Sequence, residues 1–313
     1  MKTVYLAIWY ACNQKCTGCP CTLHVDKSKN MTFEEIKKLF ESNILGCEET
    51  INVTISGGEP TLHPDFLKII RYFCKNDIGI TLLTNGEKFS DKNFCDQFLE
   101  NCNILRTKVV TTIHSSIIEI HEKQNGSIGS FKKSISGLKY LFHRGINVTI
   151  KHCITKANYK DTYDFVNMIN EEFHPAVNIQ LFGLDYCGLT KEEANELYCN
   201  FHEMQEDIEK ALDACIEMHS RNGRCTNIYK IPLCWIDPYY WQMFELNDMK
   251  TKYGTYYDPT TKLQDFYDGS GKYAKQCKDC YVNEICPGTY KSLFDYFGEG
   301  AVSKIYEVKN KEE

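Results

Sequence analysis

Three cysteines lie on one short loop near the start of the chain, directly after an apolar, strand-like run over residues 3–10. Cys12, Cys16 and Cys19 have the spacing C-x3-C-x2-C. Three thiolates on one tight loop can hold three irons of a [4Fe–4S] cube and leave the fourth iron open to a ligand. The spacing alone also fits a zinc site or chance clustering among the chain's 17 cysteines. Further motifs in the chain are therefore needed to distinguish these interpretations.

A second motif follows the next strand-like run, residues 51–56. Gly57-Gly58-Glu59-Pro60 is by itself a common turn. Its position after a strand, behind a cysteine loop that also follows a strand, supplies structural context. Together the two motifs resemble the radical S-adenosylmethionine (radical SAM) superfamily. The resemblance implies that the open iron chelates SAM and that the Gly-Gly-Glu-Pro strand end binds the SAM amino group.

Composition excludes several other classes of protein. The chain has 313 residues and a formal net charge of −6, with no clustered basic stripe, which argues against a nucleic-acid partner. No apolar run reaches the roughly 18 residues that span a bilayer, and no signal peptide precedes the first strand. We therefore expect a cytoplasmic protein with no membrane partner. In that reducing compartment the cysteines are thiols and metal ligands rather than disulfides.

The first 185 or so residues alternate strand and helix patterns. The expected strands are residues 3–10, 51–56, 79–84, 108–113, 146–154 and 177–182. Expected helices are residues 32–41, 64–76, 91–101, 130–144 and 159–172, with a capping box at Thr32 and Glu35 and a stop at Arg144-Gly145. Six βα units predict an α/β fold, a partial (β/α)6 TIM-like barrel. A long amphipathic helix is expected from residue 190 to about 220.

Function in such barrels collects where the strands end. Glycines at the second strand end let a ligand approach the backbone closely. Asn85 follows the third strand and His114 the fourth, where a turn or capping role and ligand contact are both open. The run Thr112-Ile113-His114 resembles the fourth-strand region of radical SAM enzymes that carry a SPASM or twitch extension. The resemblance implies that Thr112 contacts the SAM carboxylate, with Lys151 on strand five as a second contact.

A second group of cysteines lies near the end of the chain. Cys277, Cys280 and Cys286 have the spacing C-x2-C-x5-C, which resembles the auxiliary-cluster motif of twitch/SPASM domains. The resemblance places the fourth ligand of one auxiliary [4Fe–4S] cluster at Cys234; Cys225, Cys187 or an open iron are the alternatives. A structural zinc site would use the same ligand types. The expected domains are residues 1–189 for the barrel, 190–230 for a linking helix region and 231–313 for the small twitch/SPASM-like iron–sulfur domain.

These features predict an enzyme that cleaves SAM reductively to a 5′-deoxyadenosyl radical and abstracts a hydrogen atom from its substrate. A low-potential donor such as flavodoxin or ferredoxin would supply the electron. Cys153 and Cys187, at the ends of strands five and six, are candidate hydrogen donors. The motifs resemble small peptide-modifying maturases, which implies a precursor-peptide substrate. The alternatives are a dehydrogenase or epimerase acting on a sugar or aminocyclitol, and a non-catalytic SAM-binding sensor.

Overall fold

The computed structural model describes residues 2–19, 30–43, 45, 50–173, 177–222, 226–244, 253–258, 262–267 and 271–308. Contacts divide the chain into two compact units. The first comprises Met1–Thr112, Glu122–Ile150 and Tyr253–Tyr267, and the second comprises Ile113–His121, Lys151–Lys252 and Asp268–Glu313. The domain boundaries expected after residues 189 and 230 stay a prediction.

Strands and helices alternate through the first six strands, as the sequence predicts. The strands are β1 (Lys2–Trp9), β2 (Ile51–Gly57), β3 (Gly79–Leu83), β4 (Thr107–Thr112), β5 (Asn147–Cys153), β6 (Asn178–Phe182), β7 (Thr226–Tyr229), β8 (Tyr253–Asp258) and β9 (Lys262–Tyr267). The helices are α1 (Phe33–Asn43), α2 (Phe66–Lys75), α3 (Lys92–Asn101), α4 (Ile118–Asn125), α5 (Ser130–His143), α6 (Thr162–Glu172), α7 (Lys191–Leu197), α8 (Phe201–Asn222) and α9 (Lys291–Phe297).

The sheet of the first unit is built from parallel neighbours. Its order is β4-β3-β2-β1-β8-β9, with the first residues of β5 beside β4. β1 pairs in parallel with β2 and with β8, and β2–β3 and β3–β4 are also parallel. The β8–β9 pair is antiparallel. In the second unit β6 lies between the end of β5 and β7, and β6–β7 is parallel.

Burial explains why these segments are strands. Along β1, Val4, Leu6 and Ile8 are fully buried, whereas the residues between them are half-buried. Alternate side chains of a strand point to opposite faces of the sheet. One face is therefore the apolar core, packed with residues such as Phe73 of α2. Each such fully buried side chain contributes on the order of 1.5–3 kcal/mol of transfer free energy. The α/β fold class and the six predicted strands are confirmed.

Two helix boundaries form as the sequence predicts. Before α1, Thr32 Oγ1 accepts a bond from the Glu35 amide (3.3 Å), and Glu35 Oε2 accepts one from the Thr32 amide (2.7 Å). This is the reciprocal bonding of a capping box. After α5, Gly145 has φ of +88°, the left-handed conformation that ends many helices at glycine.

The expected helix over residues 190–220 is wrong in one respect, because it is two helices. α7 ends at Leu197 and α8 begins at Phe201. Asn200 accepts a bond from the His202 amide through its side chain (3.0 Å), so it caps a new helix. The Tyr198 ring stacks on Phe297 with centroids 3.9 Å apart. The amphipathic period continues across this break, which explains why the sequence pattern did not indicate it.

The structure also contains strands that the sequence analysis did not predict. β7 has only four residues, and the hairpin β8–β9 lies in a stretch without a clear period. Helix α4, just after β4, was also not predicted. Within the described residues, no helix is both long and apolar enough to cross a membrane.

Candidate active site

The loop that carries Cys12, Cys16 and Cys19 leaves the end of β1 and is held at several points within the first unit. The backbone amide of Lys15 donates to Asn125 O (2.8 Å), and that of Thr17 donates to Gln124 O (2.9 Å). All three cysteines are half-buried. The loop thus presents three thiols from a segment fixed by main-chain hydrogen bonds.

Gly57 and Gly58 fix the first residues of this loop. The Gly58 amide donates to Trp9 O (2.6 Å), and the Glu59 amide donates to Ala11 O (2.9 Å). A Cβ atom at Gly57 would lie 2.1 Å from Trp9 O, and one at Gly58 would lie 2.6 Å from Ala11 O. The close approach that these glycines permit is therefore made by the protein's own backbone, next to Cys12. Only residues without a side chain fit here.

Glu59 joins the ends of β2 and β3. Its carboxylate is 1% exposed. Oε1 accepts bonds from the Thr61 amide (3.0 Å), the Thr61 hydroxyl (2.6 Å) and the Thr84 hydroxyl (2.7 Å), while Oε2 accepts one from the Asn85 amide (2.7 Å). Burial raises the pKa of Glu59, and these donors oppose the rise. Glu59 is thus a brace, and Pro60 starts the 3-10 turn Pro60–Leu62 that supplies the Thr61 donors.

Asn85 brings the end of β3 to the cysteine loop. Its side-chain amide donates to Asn13 Oδ1 (2.7 Å) and lies 4.0 Å from Cys12 Sγ, which also accepts from the Gln14 amide (3.4 Å). Burial raises the pKa of the Cys12 thiol, with Glu59 and Cys19 adding to the rise. A metal ion reverses this preference, because a coordinating thiol is deprotonated. The donors around Cys12 Sγ therefore fit a metal-bound thiolate.

The other candidate residues of the barrel lie at or near the ends of β4 and β5. Thr112 is the last residue of β4, in the first unit. In the second unit, Asn158 donates through its side chain to His114 O (2.7 Å) and Cys153 O (2.9 Å), which joins these two strand ends. The Lys151 ammonium lies 3.8 Å from the centre of the Phe182 ring.

His114 is a buried neutral base. Burial lowers its pKa to about 3, and the positive charges of His121, His152 and Lys151 add to that shift. Its Nδ1 atom is buried without a hydrogen-bond partner among the described residues. An unsatisfied buried nitrogen is costly and calls for an explanation such as a ligand. The arrangement suits a hydrogen bond to a bound molecule.

The C-terminal cysteines surround one cavity in the second unit. Its lining includes four thiols, those of Cys234, Cys277, Cys280 and Cys286. Cys187 is exposed and does not line this cavity, and its amide donates to Asp185 Oδ1 (3.1 Å). Cys225 lies outside the described residues. The three cysteines of the C-x2-C-x5-C motif therefore line one cavity together with Cys234, the fourth ligand that the resemblance implies.

Backbone amides point at three of these sulfurs. Ser303, Ile305 and Gly288 donate to Cys234, Cys280 and Cys286 respectively, each over 3.4 Å. Burial raises the pKa of the Cys234 thiol to about 12, and the other three cysteines add to the rise. Such N–H donors are typical of iron–sulfur sites, where they tune the reduction potential. Four thiols with these donors match the ligand set of a [4Fe–4S] cluster.

Among the described residues, no group of three or more His, Cys, Asp or Glu side chains lies close enough together to hold a single metal ion. In an iron–sulfur cube each thiolate binds a different iron, so its ligands need not converge on one point.

Sequence reasoning missed two residues beside the cysteine loop. Gln14 is 6% exposed and its side-chain amide donates to Glu87 Oε1 (2.8 Å). Glu87 follows the predicted strand end at Asn85-Gly86 directly, and this position is the signal that could have identified it. Gln14 lies between two candidate ligands, which is a similar signal.

Comparison with known proteins agrees with this geometry. The model of the radical SAM superfamily matches residues 6–169. The antilisterial bacteriocin subtilosin biosynthesis protein AlbA of Bacillus subtilis is 26% identical over 168 residues, which are 52% of this chain and 35% of AlbA. An S-adenosylmethionine-dependent nucleotide dehydratase of Flammeovirga pacifica is 25% identical over 244 residues, 73% of this chain and 79% of that protein.

A solved structure shares the fold over nearly the whole chain. Streptococcus suis SuiB bound to S-adenosylmethionine superposes with a TM-score of 0.60 at 15% identity, covering 99% of this chain and 78% of SuiB. SuiB bound to its precursor peptide SuiA gives 0.59 at 13% identity, covering 98% and 76%. At such identities the likeness shows the fold alone. This chain spans only about a third of AlbA. The family match covers half of the chain, from within β1 to within α6, and the chain belongs to the radical SAM superfamily.

Proposed function

We propose that this radical SAM enzyme modifies a ribosomally synthesised precursor peptide. The observation that carries the proposal is the similarity to AlbA, whose name assigns it to the biosynthesis of a bacteriocin. The fold shared with peptide-bound SuiB is compatible with it. A cytoplasmic location belongs to the same proposal, because oxygen-sensitive clusters and free thiols require a reducing compartment.

In this proposal Cys12, Cys16 and Cys19 hold a [4Fe–4S] cluster, which together with SAM and an electron from flavodoxin or ferredoxin supplies the 5′-deoxyadenosyl radical. Gly57 and Gly58 let β2 approach the backbone beside Cys12 and so fix the loop. Glu59 holds the Asn85 amide in place. These contacts position the cofactor site before substrate binds, which reduces the cost of ordering it during the reaction.

We assign His114 a neutral hydrogen-bonding role, because its Nδ1 is buried without a partner among the described residues. Thr112 and Lys151 are each proposed to contact the SAM carboxylate, as the family resemblance implies. Cys153 and Cys187 stay candidates for hydrogen donation. Cys187 is the more accessible of these two thiols.

A single auxiliary [4Fe–4S] cluster at Cys234, Cys277, Cys280 and Cys286 is also part of the proposal. Its support is the shared cavity and the three amide donors. In a Cys12/Cys16/Cys19→Ala background, Cys234→Ala should remove most of the remaining iron–sulfur absorbance. Cys187→Ala and Cys225→Ala should leave it intact, and loss in either would move the fourth ligand there. Zinc instead of iron after anaerobic purification would make the site a structural one.

A small-molecule substrate is the second candidate. The nucleotide dehydratase of Flammeovirga pacifica matches more of this chain, and of its own length, than AlbA does. Because substrate contacts are not part of the shared motifs, a sugar, aminocyclitol or nucleotide could occupy the same barrel.

The two candidates can be separated by following the abstracted hydrogen. The gene is co-expressed anaerobically with each short open reading frame beside it, and the peptides are examined by mass spectrometry. A peptide substrate should change mass only when the three loop cysteines are intact, and its deuterated form should transfer deuterium to 5′-deoxyadenosine. Deuterium transfer from a labelled nucleotide or sugar, with every peptide unchanged, would establish the second candidate. Absence of SAM cleavage under any reductant would leave the non-catalytic sensor.

A further inference from the structure

A buried carboxylate beside the cysteine loop has no part in the chemistry described above. Glu87 opens the 3-10 turn Glu87–Ser90 after β3 and is 7% exposed. Its Oε1 accepts bonds from Gln14 Nε2 (2.8 Å) and from the Ser127 hydroxyl (3.2 Å), while Oε2 lies 3.6 Å from Lys133 Nζ. A carboxylate is seldom buried to this extent unless it is paired with a cation or hydrogen-bonded.

Gln14 connects this carboxylate to the cysteines. Its backbone amide donates to Cys12 Sγ (3.4 Å), and its side-chain Oε1 lies 3.5 Å from Cys16 Sγ. The residue is 6% exposed, so few other positions are open to it. A displacement of the Gln14 side chain would therefore move the N–H group that points at Cys12 Sγ.

The other attachments of the loop lie on either side of Gln14. Ala11 O accepts from the Glu59 amide before it, and the Lys15 and Thr17 amides donate to Asn125 O and Gln124 O after it. In the segment between the first two cysteines, the Asn85 side chain donates to Asn13 Oδ1 (2.7 Å) and the bond to Glu87 holds Gln14 itself. This segment contains the amide donor to the Cys12 sulfur.

We propose that Glu87 is a positioning residue that acts through Gln14. By fixing the Gln14 side chain it holds the Gln14 amide against Cys12 Sγ and so sets the reduction potential of the [4Fe–4S] cluster. Hydrogen bonds to cluster sulfurs are one of the determinants of that potential. These hydrogen bonds stabilise the reduced cluster, which carries the more negative charge. Their loss therefore lowers the reduction potential.

Two substitutions at Glu87 separate the effect of its hydrogen bond to Gln14 from the effect of its negative charge. Glu87→Gln removes the charge but keeps an acceptor oxygen for Gln14 Nε2, whereas Glu87→Ala removes both. Loss of a nearby negative charge alone eases reduction equally in the two variants. The reduction potential of the SAM-bound cluster, measured by an EPR-monitored titration, should therefore be lower in Glu87→Ala than in Glu87→Gln. We expect a threefold change in the reduction equilibrium, about 30 mV for one electron.

A double-substitution cycle tests whether the effect passes through Gln14. In a Gln14→Leu background, Glu87→Ala and Glu87→Gln should have the same potential. Equal potentials with Gln14 present would overturn the proposal, as would an unchanged difference after Gln14→Leu. The potential is read from the chains that contain cluster, so partial loss of iron does not mimic the result.

Asp91→Ala supplies the matched control for a general loss of stability. Asp91 lies at the other end of the same turn and caps α3, accepting from the Asn93 amide (2.9 Å). Asp91→Ala should lower the free energy of unfolding and leave the reduction potential of the cluster unchanged. A shift in Asp91→Ala as large as that in Glu87→Ala would reduce Glu87 to a structural role and overturn the proposal.

Discussion

Glu59 illustrates how one residue differs from the role that its motif indicates. The family resemblance implies that the Gly-Gly-Glu-Pro strand end, which includes Glu59, binds the SAM amino group. In the structure four donors from Thr61, Thr84 and Asn85 occupy its oxygens, so bracing the strand end is its evident role. A motif gives the residue type and its place after a strand. Two of the four donors belong to Thr84 and Asn85, about 25 residues away, and no local pattern contains them.

Glu59→Ala should weaken SAM binding at least tenfold while the iron content stays near the roughly eight per chain of two [4Fe–4S] clusters. The change frees Thr84 and Asn85 at the end of β3, and an unsatisfied buried donor costs about 1–3 kcal/mol. The three cysteine ligands are untouched. Equilibrium dialysis with labelled SAM and an iron assay measure the two quantities. Glu193→Ala, which removes the capping box of α7, is the control. Unchanged SAM affinity would contradict this role.

Acid should destabilise the fold through His114. An unfolded histidine binds a proton near pH 6.5, whereas burial lowers the pKa of His114 to about 3. Between these values the unfolded chain binds more protons, so the free energy of unfolding falls as pH falls, by about 1.4 kcal/mol per pH unit. Denaturant titrations from pH 6.5 to 4 should show that the free energy of unfolding falls less steeply with falling pH in His114→Phe than in the wild type. The two slopes should differ by about 1.4 kcal/mol per pH unit. Parallel profiles would contradict the pKa shift.

Among the secondary-structure elements, the first six strands could be predicted because they are apolar and separated by helical periods. Their bounds agree with the predictions to within about two residues. β7, β8 and β9 could not, because a four-residue strand and a hairpin without alternation have no distinctive local pattern. The break between α7 and α8 is likewise fixed by a capping residue, Asn200, inside a continuous amphipathic stretch.

The junction of β1 and β2 gives a prediction at the same scale. Gly58→Ala would place a Cβ 2.6 Å from Ala11 O and 2.7 Å from Tyr10 O. We expect a loss of about 1–3 kcal/mol of stability and a lower iron content, because the backbone beside Cys12 must shift. Thermal unfolding and an iron assay check both.

Gly300→Ala is a matched control for this substitution, since its Cβ would meet no atom within 4 Å. It should unfold at the wild-type temperature. Equal unfolding temperatures and iron contents in the two alanine variants would show that neither stability nor iron binding needs the close packing of β1 against β2.

For the whole molecule, the sequence predicts the chemistry better than the substrate. The residues proposed to bind the cluster and SAM lie mainly in two short motifs, Cys12 to Cys19 and Gly57 to Pro60, whose combination is specific even without a structure. A substrate is recognised by side chains spread over many strand ends, and these follow no common spacing. The four C-terminal thiols are an intermediate case. Three are close in sequence, whereas Cys234 joins them only through the fold.

SAM cleavage by the reconstituted protein decides whether this chain is an active radical SAM enzyme. Anaerobic incubation with SAM and a strong reductant should release 5′-deoxyadenosine, quantified by liquid chromatography and mass spectrometry. The Cys12/Cys16/Cys19→Ala variant should contain about four fewer irons per chain and release none, because a cube needs its thiolates. Cleavage by this variant at the wild-type rate, with its iron content unchanged, would contradict the account.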